Sequence, residues 1–279
     1  MTLKDTFSIV NAAAANHMGV GAFNVIHLET AEALAAAAER AELPVILQIS
    51  HNCVRYHGNL VPLGLATLAI AKASSAAIAV HLDHCEDVNL AKHAVDLGFS
   101  SVMFDGSVLT VEENTKRTRD VVRYAHEHGA TVEAELGEIG GKGAHTPGVR
   151  TDPTEAVDFV AETGVDGLAV AVGSEHAMSD RTASLDINLI DKLSTALEVP
   201  LVLHGSSGVP DDEIVRAIQA GMTKINVSTH LNSFYTHAIG GFLDENPDVV
   251  DSRKYTAAGR DALSREAERM LQLFAGTGR

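Results

Sequence analysis

Eight short apolar runs, each followed by a segment of helical spacing, predict an α/β protein of the (β/α)8 TIM-barrel class. Two absences support this. The chain has no Gly-x-Gly-x-x-Gly turn of the kind an open doubly wound sheet usually shows near its start. No linker, low-complexity tract or shift in composition divides the 279 residues. The expectation is therefore one barrel domain over 1–279, with extra helices at the termini.

Taken in order, residues 21–25 are short and apolar, and 29–41 form an alanine-rich helical segment. Residues 45–49 read as a strand closed by Ser50, and 60–73 as a helix. An apolar run over 76–82 then drives into His81-Leu82-Asp83-His84 and is followed by a helix over 88–97. A strand over 101–104, a long charged helix over 110–128 and a strand over 131–136 precede a glycine-rich stretch at 137–147. Thr151-Asp152-Pro153 pairs a capping residue with a first-turn proline and opens a helix reaching about residue 163. Strands follow at 167–172, 200–204 and 224–227, alternating with helices at 186–197, 211–220 and 232–244. Residues 252–274 add a helical tail.

Bulk composition excludes several classes. Twenty-one basic against 37 acidic residues leave a net charge of −16, which argues against nucleic acid or an anionic membrane as partner. An anionic substrate would have to be met locally by a metal, backbone amides or a few side chains. Hydrophobic content of 46% is that of a globular chain, with no apolar run near the length that spans a bilayer and no signal-peptide core. Two cysteines, Cys53 and Cys85, with no CxxC, suit a reducing cytoplasm.

In a (β/α)8 barrel the active site forms at the C-terminal ends of the strands. Here those ends carry Asn24; Gln48 and Ser50; Asp83 and His84; Asp105 and Ser107; Glu133 and Glu135; His176; His204; and Asn226, Ser228 and Thr229. Ionisable groups at the ends of buried strands are costly unless paired, metal-bound or used in chemistry. His84, His176 and His204 each follow an apolar strand, and three imidazoles with an open fourth position make a catalytic zinc site. Each alone also reads as a hydrogen-bonded strand-end histidine; three at equivalent positions beside carboxylates favour a metal. Gly205-Ser206-Ser207-Gly208 follows the seventh strand, where barrels of this class hold phosphate, and a helix starts near Pro210-Asp211. A divalent metal, an adjacent carboxylate and a phosphate cradle suit chemistry next to the carbonyl of a phosphorylated sugar. His81 shares strand parity with Asp83 and is expected inside the barrel, orienting it, whereas Cys85 is expected to pack.

These residues lie in motifs that resemble the class II, metal-dependent ketose-bisphosphate aldolases. The motifs are Gly21-Ala22-Phe23-Asn24, His81-Leu82-Asp83-His84, 132–141 (VEAELGEIGG), Thr151-Asp152-Pro153, 164–173 (GVDGLAVAVG), 203–208 (LHGSSG), 224–229 (KINVST) and 251–255 (DSRKY). The resemblance implies an aldolase, an aldehyde-lyase that reversibly cleaves a phosphorylated ketose to dihydroxyacetone phosphate and an aldehyde through a zinc-stabilised enediolate. It implies that His84, His176 and His204 bind one Zn2+, with Glu135 as an alternative ligand, and that Asp83 moves the C4 hydroxyl proton. It further implies that Gly205, Ser206, Ser207, Asn226, Ser228 and Thr229 hold the phosphate, while Asn24, Gln48 and Ser50 line the substrate. A monovalent cation, Na+ or K+, is implied near Val172–Gly173 and Gly205, and so is a homodimer or homotetramer.

The chain departs from the family pattern on the aldehyde side. The family's loop after Gly140-Gly141 carries an acidic pair; here residues 142–150 (KGAHTPGVR) are basic and hold no carboxylate, leaving His145 as a candidate for the C3 proton. Ala177 follows His176, and Asp180 with Arg181 stands where a lysine is usual. Ser228 replaces an aspartate, and Asn232 an arginine that grips the distal phosphate. Arg181 and Asn232 are further candidates for substrate contact, and the tail's Arg260 is a candidate to reach the site of a neighbouring subunit. The distal half is left open among fructose and tagatose bisphosphates, a deoxy-keto-gluconate phosphate and a sulfofructose phosphate. Three rivals are a Schiff-base aldolase using Lys224, read as opening the eighth strand at the wrong end, a zinc hydrolase, which would want an HxH pair that the first strand (GAFNV) lacks, and an altered barrel serving as a sugar-phosphate-binding or assembly subunit.

Overall fold

The structure, a computed structural model, describes residues 3–136, 150–175, 178 and 180–277. Eight parallel strands close into a barrel in chain order. They are β1 (Val20–Asn24), β2 (Val45–Ser50), β3 (Ile78–Cys85), β4 (Ser101–Phe104), β5 (Thr131–Leu136), β6 (Gly167–Val170), β7 (Leu201–Leu203) and β8 (Met222–Val227). The barrel is ringed by α2 (Leu28–Ala41), α4 (Val61–Ala73), α5 (Val88–Leu97), α6 (Val111–Glu127), α7 (Pro153–Thr163), α8 (Ile187–Ala196), α9 (Asp211–Gln219) and α10 (Thr229–Glu245). An N-terminal α1 (Thr6–Ala14), a short α3 (His51–His57) and the tail α11 (Ser252–Phe274) complete the set, with a 3-10 turn at Ser206–Gly208.

Two apolar layers build the molecule. Alternate residues of each strand face outward against the helices, as Leu47, Val80, Val102 and Leu203 do in the larger core. The inward face at the barrel floor is Val20, Ala22, Ile46 and Ala79, plugged by Phe7 and Val10 of α1. Gly167 makes room for that plug, since a Cβ there would fall 2.2 Å from the Phe7 ring. The tail α11 packs against α2 and α10 and so clasps the first and last crossovers together. Among the described residues, no helix is long and apolar enough to cross a membrane.

Four elements differ most from the sequence expectation. Helix α3 was not anticipated; HNCVRYH has no apolar period, and Ser50 starts it by accepting from the Cys53 amide. Strand β3 runs to Cys85 rather than 82, because its charged end is paired on both sides instead of fraying into a loop. Strand β8 begins at Met222 and α10 at Thr229, two and three residues before the expected starts at 224 and 232.

Candidate active site

At the C-terminal end of β3 two consecutive residues face one pocket, which a regular strand forbids. Leu82 and Cys85 both pack outward, and they pair with Val102 and Phe104 of β4, so three steps on β3 oppose two on its neighbour. The extra residue is a bulge, and His84 takes φ 48°, the left-handed region. Asp83 therefore points inward by strand parity and His84 by the bulge.

Around them the site assembles from β4, β5, β7 and β8. Ligand atoms of Asp83, His84 and His204 lie within 4.8 Å of one another, as do those of His84, Asp105 and Glu135. The His84 and His204 rings meet edge to face at 4.4 Å between centroids. His84 Nδ1 bonds Asp105 Oδ2 at 2.7 Å, so its Nε2 is the atom it can offer a metal. His204 Nε2 bonds Glu133 Oε1 at 2.9 Å, and its Nδ1 lies 3.2 Å from Glu135 Oε2. Burial alone would pull the His204 pKa down, but hydrogen bonds to Glu133 and Glu135 and their charges push it up to about 9. Two imidazoles and a carboxylate that favour a positive charge in their midst are a donor set that fits a divalent zinc-type ion. Asn226 Nδ2 donates to Asp83 Oδ1 at 3.2 Å.

Other expected residues fall as follows. Gln48 Nε2 donates to Asn24 Oδ1 at 2.8 Å, and Ser50 pairs in register with Asp83, so β1 and β2 line the same pocket. Gly205 has φ 66°, and a Cβ there would meet the Glu175 carbonyl oxygen at 2.6 Å; only glycine lets the chain pass. Ser206 turns its hydroxyl back to the Leu203 carbonyl. Ser207 Oγ accepts from the amides of Ser228 and His230 at 3.3 and 3.2 Å, joining the loops after β7 and β8. The first turn of α9 holds Asp211, Asp212 and Glu213, whereas that of α10 holds no acidic residue. Asn232 bonds back to Ser228 in the first turn of α10. Arg181 is spent on the Val209 carbonyl and on Asp211 at 2.6 Å. Arg260 lies on α11 beside Asp261, in a groove with Glu32 and Arg40 between α2 and α11. His176 and His145, with the basic loop, lie outside the described residues.

Sequence reasoning missed three roles. Asp105 was seen at its strand end, but not as the partner of His84. Glu133 lies a layer below the rim, and Lys224 is the third residue of β8, facing the barrel interior rather than opening the strand. Period-2 parity was the available signal: Glu133 shares a face with Glu135, and Lys224 with Asn226. His81 is inside as expected, yet its Nδ1 bonds Ser101 Oγ at 2.6 Å rather than Asp83, and burial drops its pKa to about 3. Cys85 packs, its Sγ 3.1 Å from the Asp87 carbonyl and its pKa raised to about 12 by burial.

The tail helix braces the cradle. Glu266 Oε1 lies 2.7 Å from His230 Nε2 and 2.7 Å from Arg269 Nη2, while Arg269 Nη1 reaches Asp211 at 2.7 Å. Burial pushes the Glu266 pKa up, but the bonds from His230 and Arg269 outweigh it and hold the group below the usual range. A carboxylate depressed in the folded state stabilises above its unfolded value of about 4.3, and loses that contribution as pH falls through the folded one. Glu266→Gln is expected to cost about 1–3 kcal/mol at pH 7. Thermal melts of both proteins at pH 7 and below pH 4 check this; a difference in Tm that does not shrink in acid would refute it.

Comparison with known proteins agrees with this geometry. The family model "Fructose-bisphosphate aldolase class-II" matches residues 4–279. The chain is 37% identical to a fructose-bisphosphate aldolase of Geobacillus stearothermophilus, covering 100% of this chain and 99% of that one. It is 34% identical to a 6-phospho-5-dehydro-2-deoxy-D-gluconate aldolase of Bacillus licheniformis, over 97% of this chain and 94% of the relative. The solved structure of the YdjI aldolase from Escherichia coli K12 superposes with a TM-score of 0.86 at 31% identity, covering 99% of each chain. With the barrel, the inward donor set and a family match that spans the chain, the protein belongs to the class II fructose-bisphosphate aldolase family and is an aldolase, a carbon–carbon lyase.

Proposed function

We propose that the chain, as one barrel domain, cleaves a phosphorylated ketose to dihydroxyacetone phosphate and an aldehyde, with Asp83 as the group that moves the C4 hydroxyl proton. The observation that supports this most is the convergence of the Asp83 carboxylate with His84 and His204 within 4.8 Å. Asp83 is 3% exposed and accepts a hydrogen bond from Asn226, which orients its carboxyl group in the pocket away from bulk water. In cleavage it takes the C4 hydroxyl proton, the C3–C4 pair moves toward the C2 carbonyl, and the aldehyde departs. His84 and His204, with Glu135 and with His176 by family resemblance, would hold a Zn2+ ion. Such an ion supplies Lewis acidity at the substrate carbonyl when bound.

Gly205, the turn at Ser206–Gly208 and the N-terminus of α10 at Thr229 would receive the phosphate, with Ser207 joining the loops after β7 and β8 and Asn226 tied to Asp83. Asn24, Gln48 and Ser50 would face the sugar hydroxyls. A K+ or Na+ ion at the carbonyls of Val172–Gly173 and Gly205, a homodimer or homotetramer, and a cytoplasmic setting suited to two buried thiols belong to the same reading.

Relatives named for fructose bisphosphate and for a phosphorylated dehydro-deoxygluconate frame the substrate as a ketose phosphate with a variable distal half. The test is a coupled assay over fructose and tagatose bisphosphates, a deoxy-keto-gluconate phosphate and a sulfofructose phosphate, with and without chelator. Cleavage of one of them, abolished by chelator and restored by Zn2+, is expected. Chelator-insensitive cleavage with a borohydride-trapped adduct would overturn the reading.

A further inference from the structure

We infer that Lys224 is a positioning residue that holds Asp83 and His204 in one arrangement, acting through Asn226 on one side and Glu133 on the other. The inference rests on the proposed roles of Asp83 and His204. Lys224 and Glu133 are both 0% exposed, inside a barrel whose interior is ordinarily filled by branched apolar side chains. A buried ion pair gains little stability over well-packed apolar residues. Stability alone therefore gives no reason for these charges at this depth.

The geometry gives a different reason. An ammonium has donors and no acceptor, so whatever it touches must turn an oxygen toward it. Lys224 Nζ lies 2.8 Å from Asn226 Oδ1, which fixes the amide so that Nδ2 faces Asp83 Oδ1 at 3.2 Å. The same Nζ lies 2.8 Å from Glu133 Oε2, an ion pair without the alignment of a hydrogen bond. It leaves Glu133 Oε1 to take the Nε2 proton of His204 at 2.9 Å, so that Nδ1 faces Glu135. One cation thereby fixes the orientation of the Asn226 amide and, through Glu133, that of the His204 ring. Both orientations converge on the pocket from β5, β7 and β8.

The test uses Lys224→Met, Glu133→Gln and the double variant, in which neither charge is left stranded if a single variant fails to fold. In the double variant, at saturating Zn2+, kcat is expected to fall roughly 10²-fold, as for a misplaced reacting group, with KM changed much less. Co2+ titration of the metal-free protein should show affinity weakened about 10- to 100-fold and an altered visible spectrum. A double variant that melts earlier but keeps native kcat, Co2+ affinity and spectrum would show a merely structural pair and overturn the inference. If the native protein cleaves no ketose phosphate, the proposed reaction fails by itself, while the Co2+ titration still decides the role of Lys224 toward His204.

Discussion

Asp83→Ala is expected to lower kcat by about three orders of magnitude or more, while bound zinc stays near the native level. General-base transfer alone accounts for roughly 10²–10⁴ in rate. Among the described residues the other pocket carboxylates are engaged, Asp105 with His84 Nδ1 at 2.7 Å and Glu135 with His204 Nδ1 at 3.2 Å. The substitution removes a carboxylate and spares both imidazoles and Glu135, so the donor set that would hold the ion survives. Asn226 loses one acceptor but remains tied to Lys224, which keeps the pocket wall in place. Metal analysis and a coupled assay on the same preparation check the outcome. Native turnover in Asp83→Ala free of native contamination would end the assignment of Asp83 as base.

His204→Ala should give the opposite pattern: the metal goes first, and turnover with it. His204 is fully buried, and Glu133 and Glu135 converge on its two nitrogens. Its loss removes an imidazole ligand and leaves two buried carboxylates facing a void. Loss of a partner outside the metal's own ligands weakens affinity about 10- to 100-fold, and loss of a ligand should exceed that. Dialysis followed by metal analysis is expected to find less than about a tenth of an ion per chain, and added Zn2+ should restore little activity. Retention of stoichiometric zinc by His204→Ala would remove it from the ligand set. Comparing the two variants separates holding the ion from moving the proton, which activity measurements on either alone cannot do.

The barrel was legible because a parallel strand buried on both faces and a helix with one buried face write different periods into the chain. The site was legible at its rim, where Asp83, His84 and His204 interrupt apolar runs. It became illegible one layer down. Nothing local marks Glu133 as the partner of Lys224, 91 residues away (224 − 133), since that pairing depends on the stagger between β5 and β8 across the interior. Lys224 was placed at the start of its strand because Met222 and Thr223 carry no strong strand signal; register with β7 and β1 decides the matter. The role of Asp105 was hidden for the same reason: its hydrogen bond to His84 follows from the bulge between β3 and β4, which no period reveals.

The left-handed backbone at His84 bears on how such a chain can change over time. A non-glycine residue in that conformation costs of order 1–3 kcal/mol, which the surrounding barrel must offset. Glycine would accept the conformation more readily and would remove the imidazole proposed as a metal ligand in the same substitution. At this position, selection for a hardier protein and selection for a working one pull in opposite directions. Variants chosen for heat resistance alone would be drawn to lose the imidazole, while variants chosen for turnover must keep a locally disfavoured turn at the centre of an otherwise relaxed scaffold.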